Sequence, residues 1–226
     1  MWLVACGAPL GPDEDPIVDA PSRALPAPEP PAEVSVMASC MTSIASDEAD
    51  TMLALDATGP RTNTYGAADG LNATVGMAAF RFAVEDLDRA VSVTLYVDTN
   101  PTCTECGDAG LPSAAATATV YAARSDWSEA NADAFRRTAS GEGWGSAPIA
   151  GSSTKIRAGI DYAPTPAASV EVAAAASSLE VALDVTLVRT WASSSKLTLL
   201  VHSPQMLVLA SKESARHHAR LAITRC

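Results

Sequence analysis

Apolar and polar residues alternate along six short segments of this chain, and no other feature constrains its fold as strongly. The segments are residues 78–83, 91–98, 118–122, 181–185, 197–201 and 220–224. Successive side chains of a β-strand point to opposite faces, so a period of two predicts strands with one buried and one solvated face. Because aromatic residues make up only 5% of the chain, we expect a core of Val, Leu and Ala.

Stretches rich in Gly, Pro and Asn separate the predicted strands and mark loops. They cover residues 58–72, 99–113, 138–153 and 163–167, and the Ala- and Ser-rich segment 173–178 is interpreted in the same way. A single helical turn is expected at Asp184–Trp191. Many short strands without intervening amphipathic helices indicate two packed antiparallel sheets, and therefore an all-β domain over residues 36–226.

Residues 7–35 have a different composition and are expected to form a disordered linker. Eight of the 15 prolines lie between Pro9 and Pro31, mixed with Ala and with most of the segment's six acidic residues. Such a segment buries too little apolar area to offset its ordering entropy, so we expect a semi-rigid spacer close to polyproline II. The net charge of −11 and the lack of a basic block argue against a nucleic-acid partner.

The first six residues resemble the end of a bacterial lipoprotein signal. Leu3-Val4-Ala5-Cys6 is similar to a lipobox, which would make Cys6 the site of lipidation. Only five residues precede Cys6, fewer than a secretory signal needs, so residues 1–6 are interpreted as its remnant and the true start is expected upstream. No apolar run reaches the ~18 residues that cross a bilayer. The expected location is therefore the cell envelope or the exterior, with membrane contact through a lipid anchor only.

Four cysteines remain if Cys6 carries a lipid, and four cysteines allow three pairings. Cys40 precedes the first predicted strand and Cys226 is the last residue, so the two meet if the first and last strands are neighbours. Cys103 and Cys106 share a loop with Pro and Gly, where a local bridge would fix the loop. A zinc knuckle needs a second cysteine pair at matching spacing, which the chain lacks. We expect disulfides Cys40–Cys226 and Cys103–Cys106.

Several short motifs follow one another in the order typical of a known family. They are Ala49-Asp50-Thr51, Asn63-Thr64-Tyr65-Gly66, Phe80-Arg81-Phe82, Ser92–Val97, Asp126-Trp127-Ser128-Glu129, Leu183-Asp184-Val185-Thr186, Ala210-Ser211-Lys212-Glu213-Ser214 and Ala219-Arg220-Leu221. Over residues 46–225 the chain thereby resembles the DNRLRE domain, also described as carbohydrate-binding module family 96. Lys212 stands where that family has an arginine, and residues 130–165 lack its Thr-Trp strand.

This resemblance implies a jelly-roll β-sandwich of two packed sheets, found on exported bacterial and archaeal proteins. It also implies glycan binding, with acidic polysaccharides such as alginate among the ligands. The expected partner is therefore a polysaccharide or a cell-surface glycan.

Trp127 and Glu129 belong to the most distinctive motif, and each has two possible roles. Trp127 could stack on a sugar while Glu129 accepts hydroxyl donors. Alternatively, Trp127 packs at a corner of the fold while Glu129 caps backbone amides or pairs with an arginine. Arg81 could bind a uronate carboxylate through both of its terminal nitrogens, or pair with a carboxylate such as Glu213.

Tyr65, Trp144 and Tyr162 lie in predicted loops, where binding residues are common when a rigid scaffold positions them. They are the expected stacking residues for a sugar. Asp47, Glu48 and Asp50 cluster before the first alternating segment. Calcium takes about six to eight oxygen ligands from clusters of this kind, so a structural calcium is a possible cofactor.

The sequence offers no clear catalytic constellation. It has no His-Glu-x-x-His and no Gly-x-Ser-x-Gly motif, and we expect no enzymatic activity. The expected function is a surface-tethered, non-catalytic glycan-binding module, and the alternative is a structural or adhesion module of the envelope without sugar specificity. An acidic glycan would be repelled unless a patch of Arg81, Arg124, Arg136 and Arg137, or bridging calcium, offsets the negative charge.

Overall fold

The computed structural model describes residues 39–54, 70–74, 76–99, 114–130, 132, 137, 143–145, 155–212 and 219–226. The linker 7–35, the lipidation site Cys6 and the expected Cys103–Cys106 bridge lie outside these residues. A compact unit spans Ala38–Cys226. Among the described residues, no helix is both long enough and apolar enough to cross a membrane.

Strands dominate the described part of the chain. In chain order they are β1 (Met41–Ala54), β2 (Gly70–Asn72), β3 (Gly76–Ala83), β4 (Ala90–Asp98), β5 (Ala116–Ala123), β6 (Ala168–Val172), β7 (Ser178–Ala182), β8 (Lys196–His202), β9 (Val208–Ala210) and β10 (Arg220–Arg225). One short helix, α1 (Val185–Trp191), and a 3-10 turn at Leu87–Arg89 accompany them. The prediction of an all-β fold is confirmed.

Eight strands form one antiparallel array in the order β6-β5-β8-β3-β1-β10-β4-β7, and β2 pairs separately with β9. The outermost strands β6 and β7 follow each other in the chain and contact each other. An unpaired strand edge is a template for aggregation, and this contact lets each of the two edges shield the other. Alternation alone does not reveal β2 and β9, because each is only three residues long.

Strand β1 pairs with a different neighbour along each of its two halves. Residues Met41–Ser46 pair with β10, whereas the residues from Asp47 onward pair with β3. The register of the second pairing shifts at Glu48. A β-bulge of this kind bends a strand and re-aims a side chain. Strand β1 can therefore pass from one group of strands, β10-β4-β7, into the other, β3-β8-β5-β6.

The main core lies among the inward faces of both groups of strands. Its largest fully buried members include Phe80, Phe82, Leu95, Leu199 and Leu221. Val, Leu and Ala supply most of the remaining side chains, as expected from the composition. Burial of one such Leu or Phe side chain stabilises the fold by about 1.5–3 kcal/mol.

Helix α1 follows β7 directly and is the helical turn expected at this position. The Asp184 side chain caps it by accepting hydrogen bonds from the amides of Thr186 (2.8 Å) and Leu187 (3.1 Å). An N-cap of this kind contributes about 1 kcal/mol. Val185 thus begins the helix, although alternation placed it at the end of a strand, and the helix ends with the indole of Trp191.

A disulfide joins Cys40 to Cys226 across 186 positions of sequence. It lies beside the pair Met41 and Arg225, where β1 and β10 begin their antiparallel ladder. The prediction from the positions of these two cysteines is confirmed.

We expect the double variant Cys40→Ser/Cys226→Ser to be less stable than the parent by about 2–5 kcal/mol, because a bridge that closes a long loop restricts the unfolded chain. Urea unfolding of both proteins measures the difference. Alkylation and mass spectrometry under non-reducing conditions is the control. Free thiols at both positions of the parent, or equal unfolding midpoints and slopes, would contradict the assignment.

Candidate functional site

A second apolar cluster covers the outer face of strands β1, β3, β8 and β5. Trp127, Trp144 and Ile156 come from the connection between β5 and β6, and they pack on a sheet surface of small and aliphatic residues. That surface consists of Ala49, Leu53, Met77, Ala79, Ala123 and Leu200. The described residues of this connection therefore cover the sheet surface, and we call them the lid.

Trp127 is a component of this lid and offers no surface for stacking. Its indole is 5% exposed, and its N–H donates to the Thr198 hydroxyl at 2.9 Å. Thr198 in turn donates to the Ser125 hydroxyl at 3.0 Å. The Arg81 guanidinium lies 4.7 Å from the centre of the ring. The alternative in which Trp127 packs at a corner of the fold therefore describes the structure.

Trp144 is buried in the same cluster at 3% exposure. The expectation that it is an open loop residue is wrong, as is a stacking role for Trp127, because neither ring has a free face. Tyr65 lies outside the described residues.

Tyr162 is half-buried and makes an edge-to-face contact with Tyr121, with 5.3 Å between ring centres. Burial raises the pKa of the Tyr162 hydroxyl, with smaller contributions from Tyr121 and Asp161.

Arg81 is held by groups of the protein itself. Its Nε donates to Glu48 Oε1 at 2.6 Å, and a terminal nitrogen donates to the carbonyl of Trp127 at 2.5 Å. Lys196 also contacts Glu48 Oε1, at 3.2 Å. The expected carboxylate partner exists, but it is Glu48 at the β1 bulge, whereas Glu213 lies outside the described residues. Burial opposes the Glu48 charge, yet the two cations outweigh it and lower the pKa of this carboxyl.

Glu129 lies at a junction between β1 and the residues after β9. Its Oε1 contacts Lys212 Nζ at 2.6 Å and accepts a hydrogen bond from the Asp50 amide at 3.4 Å. The Asp50 carboxylate accepts from the Lys212 amide at 2.5 Å. Glu129 therefore pairs with a cation and caps an amide, as in the second of its two expected roles, although the cation is a lysine.

The three acids proposed for calcium do not form a shared site. Glu48 pairs with two cations, Asp50 binds a backbone amide, and Asp47 is buried. Among the residues that the structure describes, no group of three or more His, Cys, Asp or Glu side chains is arranged to hold a metal ion.

A second polar network fastens the end of the lid. Asp161, which is 0% exposed, accepts hydrogen bonds from the amides of Gly145 (2.7 Å) and Arg157 (3.0 Å). Arg124 lies 3.5 Å from Asp161 and makes two bonds to Asp126, at 2.6 and 2.7 Å. Arg137 also contacts the Asp126 carboxylate.

These contacts set the charges of Arg124 and Asp126. Burial alone would raise the pKa of the Asp126 carboxyl, but the hydrogen bonds and charges of Arg124 and Arg137 outweigh it and hold the pKa below its usual range. The hydrogen bonds that Arg124 donates to Asp126 raise the pKa of Arg124. Both groups therefore remain charged at neutral pH.

An open groove of about 590 Å³ lies at the edge of this network. Its lining includes Trp191, Ile160, Arg124, Asp126 and Lys196, together with Ser125, Ala192 and Ser193. We call it the Trp191 groove. The Trp191 ring is half-buried at the end of α1, so an aromatic surface lies beside charged groups.

Trp191 was not among the residues that the sequence predicted to bind a ligand, although it lines this groove. The available signal was a tryptophan at the end of a short capped helix, followed at once by the polar turn Ser193–Ser195.

Comparisons with known proteins add no relative. A scan against models of protein families finds no match to this chain, and a search of curated proteins finds none either.

We expect Trp127→Phe to lower the free energy of unfolding by about 1–3 kcal/mol, because it removes a buried hydrogen bond and leaves a small cavity. Trp191→Phe is the matched control and should cost less than about 1 kcal/mol, since its ring is half-exposed. Chemical denaturation followed by circular dichroism measures both. Equal effects of the two substitutions would show that Trp127 does not anchor the lid.

We also expect stability to fall in two pH windows. Burial lowers the pKa of His202, at the end of β8, so its contribution is present above about pH 6.5 and decreases as the pH falls toward the folded-state pKa. The pKa values of the Asp126 and Glu48 carboxyls are depressed in the folded state, so these groups define the lower window. Their contribution to stability is present above about pH 4 and is lost below it. Urea unfolding across pH measures both. His202→Asn should remove the upper window and Asp126→Asn should weaken the lower one, and a profile that neither variant changes would contradict these assignments.

Proposed function

We propose that this chain is a non-catalytic glycan-binding module and that the Trp191 groove receives the sugar. One observation carries the proposal: a partly exposed indole lies in a groove beside Arg124, Asp126 and Lys196. The volume of about 590 Å³ falls within the usual range for small-molecule sites.

The chemistry of a sugar suits this combination. A pyranose ring has an apolar face of C–H groups, which packs on an aromatic ring, and a rim of hydroxyls that need donors and acceptors. Trp191 and Ile160 supply apolar surface, while Asp126 and Lys196 supply an acceptor and a donor. The network through Asp161 holds Arg124 and Asp126 in place before a ligand arrives, which reduces the ordering cost of binding.

Charge in the groove does not follow the acidity of the whole chain. Arg124 and Lys196 line it against the single carboxylate of Asp126, although the net charge of the protein is −11. Arg81 and Arg137 lie close by, paired with Glu48 and Asp126. Both neutral and uronate-containing glycans are therefore compatible with the groove.

We also propose a jelly-roll topology for the fold and an exported location for the protein. The passage of β1 between two groups of strands supports a jelly-roll sandwich of the DNRLRE type. The Cys40–Cys226 disulfide supports an oxidising compartment, and hence an exported protein, with Cys6 as a lipid anchor.

A second candidate is a structural or adhesion module of the cell envelope without sugar specificity. The observation that favours it is the burial of Trp127 and Trp144. Their rings pack in the lid and are therefore not available to stack on a sugar.

Affinity electrophoresis of the full chain separates the two candidates. Gels would contain alginate, pectin, xylan or β-glucan, each with calcium and with a chelator. We expect one glycan to slow the protein, and Trp191→Ala to weaken binding on the order of tenfold, as expected for loss of a stacking contact. Tyr96→Ala, on the far face of β4, is the matched control and should migrate like the parent.

Either of two outcomes would overturn the assignment. Unchanged mobility in every gel would favour the structural candidate. Retardation that survives Trp191→Ala would keep a glycan-binding function and move its site elsewhere.

A further inference from the structure

A second groove lies apart from the Trp191 groove and shares none of its lining residues. It has a volume of about 360 Å³, and its lining includes Ile44, Val84, Ile223, Glu85, Asp86 and Arg225. We call it the Arg225 groove. It lies at the end of β1 and β10 that carries the Cys40–Cys226 bridge.

The floor and wall of the Arg225 groove are aliphatic. Val84 and Ile223 are buried, whereas Ile44 is 60% exposed and is one of the few large apolar side chains left in water. Among the residues that the structure describes, no aromatic ring lines the groove. A sugar would have no ring on which to stack, so the lining favours a flexible hydrocarbon chain instead.

The described lining of the groove carries two carboxylates, Glu85 and Asp86, and one guanidinium, Arg225, so its charges sum to one negative charge. Arg225 donates to the backbone carbonyls of Glu85 (2.5 Å) and Asp86 (3.3 Å) and to the Ser43 hydroxyl (2.6 Å). It therefore uses its donors on neutral oxygens. Within the described part of the chain, the exposed carboxylates of Glu85 and Asp86 make no ion pair.

We infer that the Arg225 groove docks a lysine or arginine side chain from an extended segment of a partner protein. Such a side chain packs its methylene stem on apolar surface while its charged head stays near water and carboxylates. Ile44, Val84 and Ile223 match the stem, and Glu85 and Asp86 match the head. Residues 36–226 hold 20 acidic and 14 basic residues, a net charge of −6, which also steers a basic partner toward the domain.

This inference does not depend on the glycan proposal. The test is a heteronuclear NMR titration of the full, isotope-labelled chain with a hexalysine peptide. The same peptide with every Lys side chain acetylated, which removes the charge, is the ligand control. We expect hexalysine alone to shift the amides of Ile44, Val84 and Ser195, and the effect to decrease as salt is added.

The variants use substitutions that the backbone tolerates. Asp86 has a left-handed conformation with φ of 46°, which Asn also adopts readily, so Asp86→Asn is compatible with the fold. We expect Glu85→Gln/Asp86→Asn to weaken hexalysine binding about five- to tenfold, as for loss of two exposed ion pairs. Asp88→Asn is the matched control, because this neighbouring exposed acid does not line the groove, and it should bind like the parent.

Three results would overturn the inference. The first is peptide shifts confined to the acidic residues of segment 7–35. The second is equal weakening by Asp88→Asn and by the double variant. The third is equal binding of the acetylated peptide, which would assign the groove to apolar ligands.

Discussion

The pairing of β1 with two different neighbours is the constraint on which the rest of the structure depends. Its first half lies against β10 and its second half against β3, so it is the link between the two groups of strands. The bulge at Glu48 permits this change of partner. It also turns the Glu48 carboxylate toward Arg81 and Lys196, which brings the start of β8 and the edge of the Trp191 groove into one electrostatic network.

The lid over the outer face follows from the same arrangement. Strands β1, β3, β8 and β5 leave small and aliphatic side chains facing outward, and such a surface is costly to expose to water. Trp127 and Trp144 cover it, while Asp161 and Thr198 satisfy polar groups beneath them. Aromatic residues are scarce in this chain, and Trp127 and Trp144 are used for packing. Trp191 is the partly exposed ring that lines the groove.

The strands could be predicted because alternation is a local property of the chain. Each of β3, β4, β5, β8 and β10 contains one of the alternating segments, whereas β7 covers only the first two residues of segment 181–185. The cap of α1 was equally local, since Asp184 precedes the residues whose amides it accepts. The positions of Cys40 and Cys226 near the two ends of the domain indicated their bridge once the first and last strands were taken as neighbours.

The site was less accessible to sequence reasoning, because burial of a loop residue depends on which sheet face lies beneath it. Trp144 follows a glycine-rich stretch that is typical of exposed loops, yet it packs on residues more than fifty positions away in the chain. Arg81 was expected to pair with an acid, but Glu48 is the partner because the bulge positions it. No local sequence pattern predicts that bulge. Trp191 shows the converse: it was not expected to bind a ligand, yet it lines the larger groove and is only partly buried.

The bridge between Cys40 and Cys226 also determines how the domain transmits mechanical load. Any tension that enters through the chain before Cys40 reaches β1 and, through the sulfur atoms, β10 at the same moment. Because β10 is paired with β4 on its other side, the load spreads over three adjacent strands. A domain without the bridge would peel open from Met41, one residue pair at a time, whereas this one has to shear two strands together.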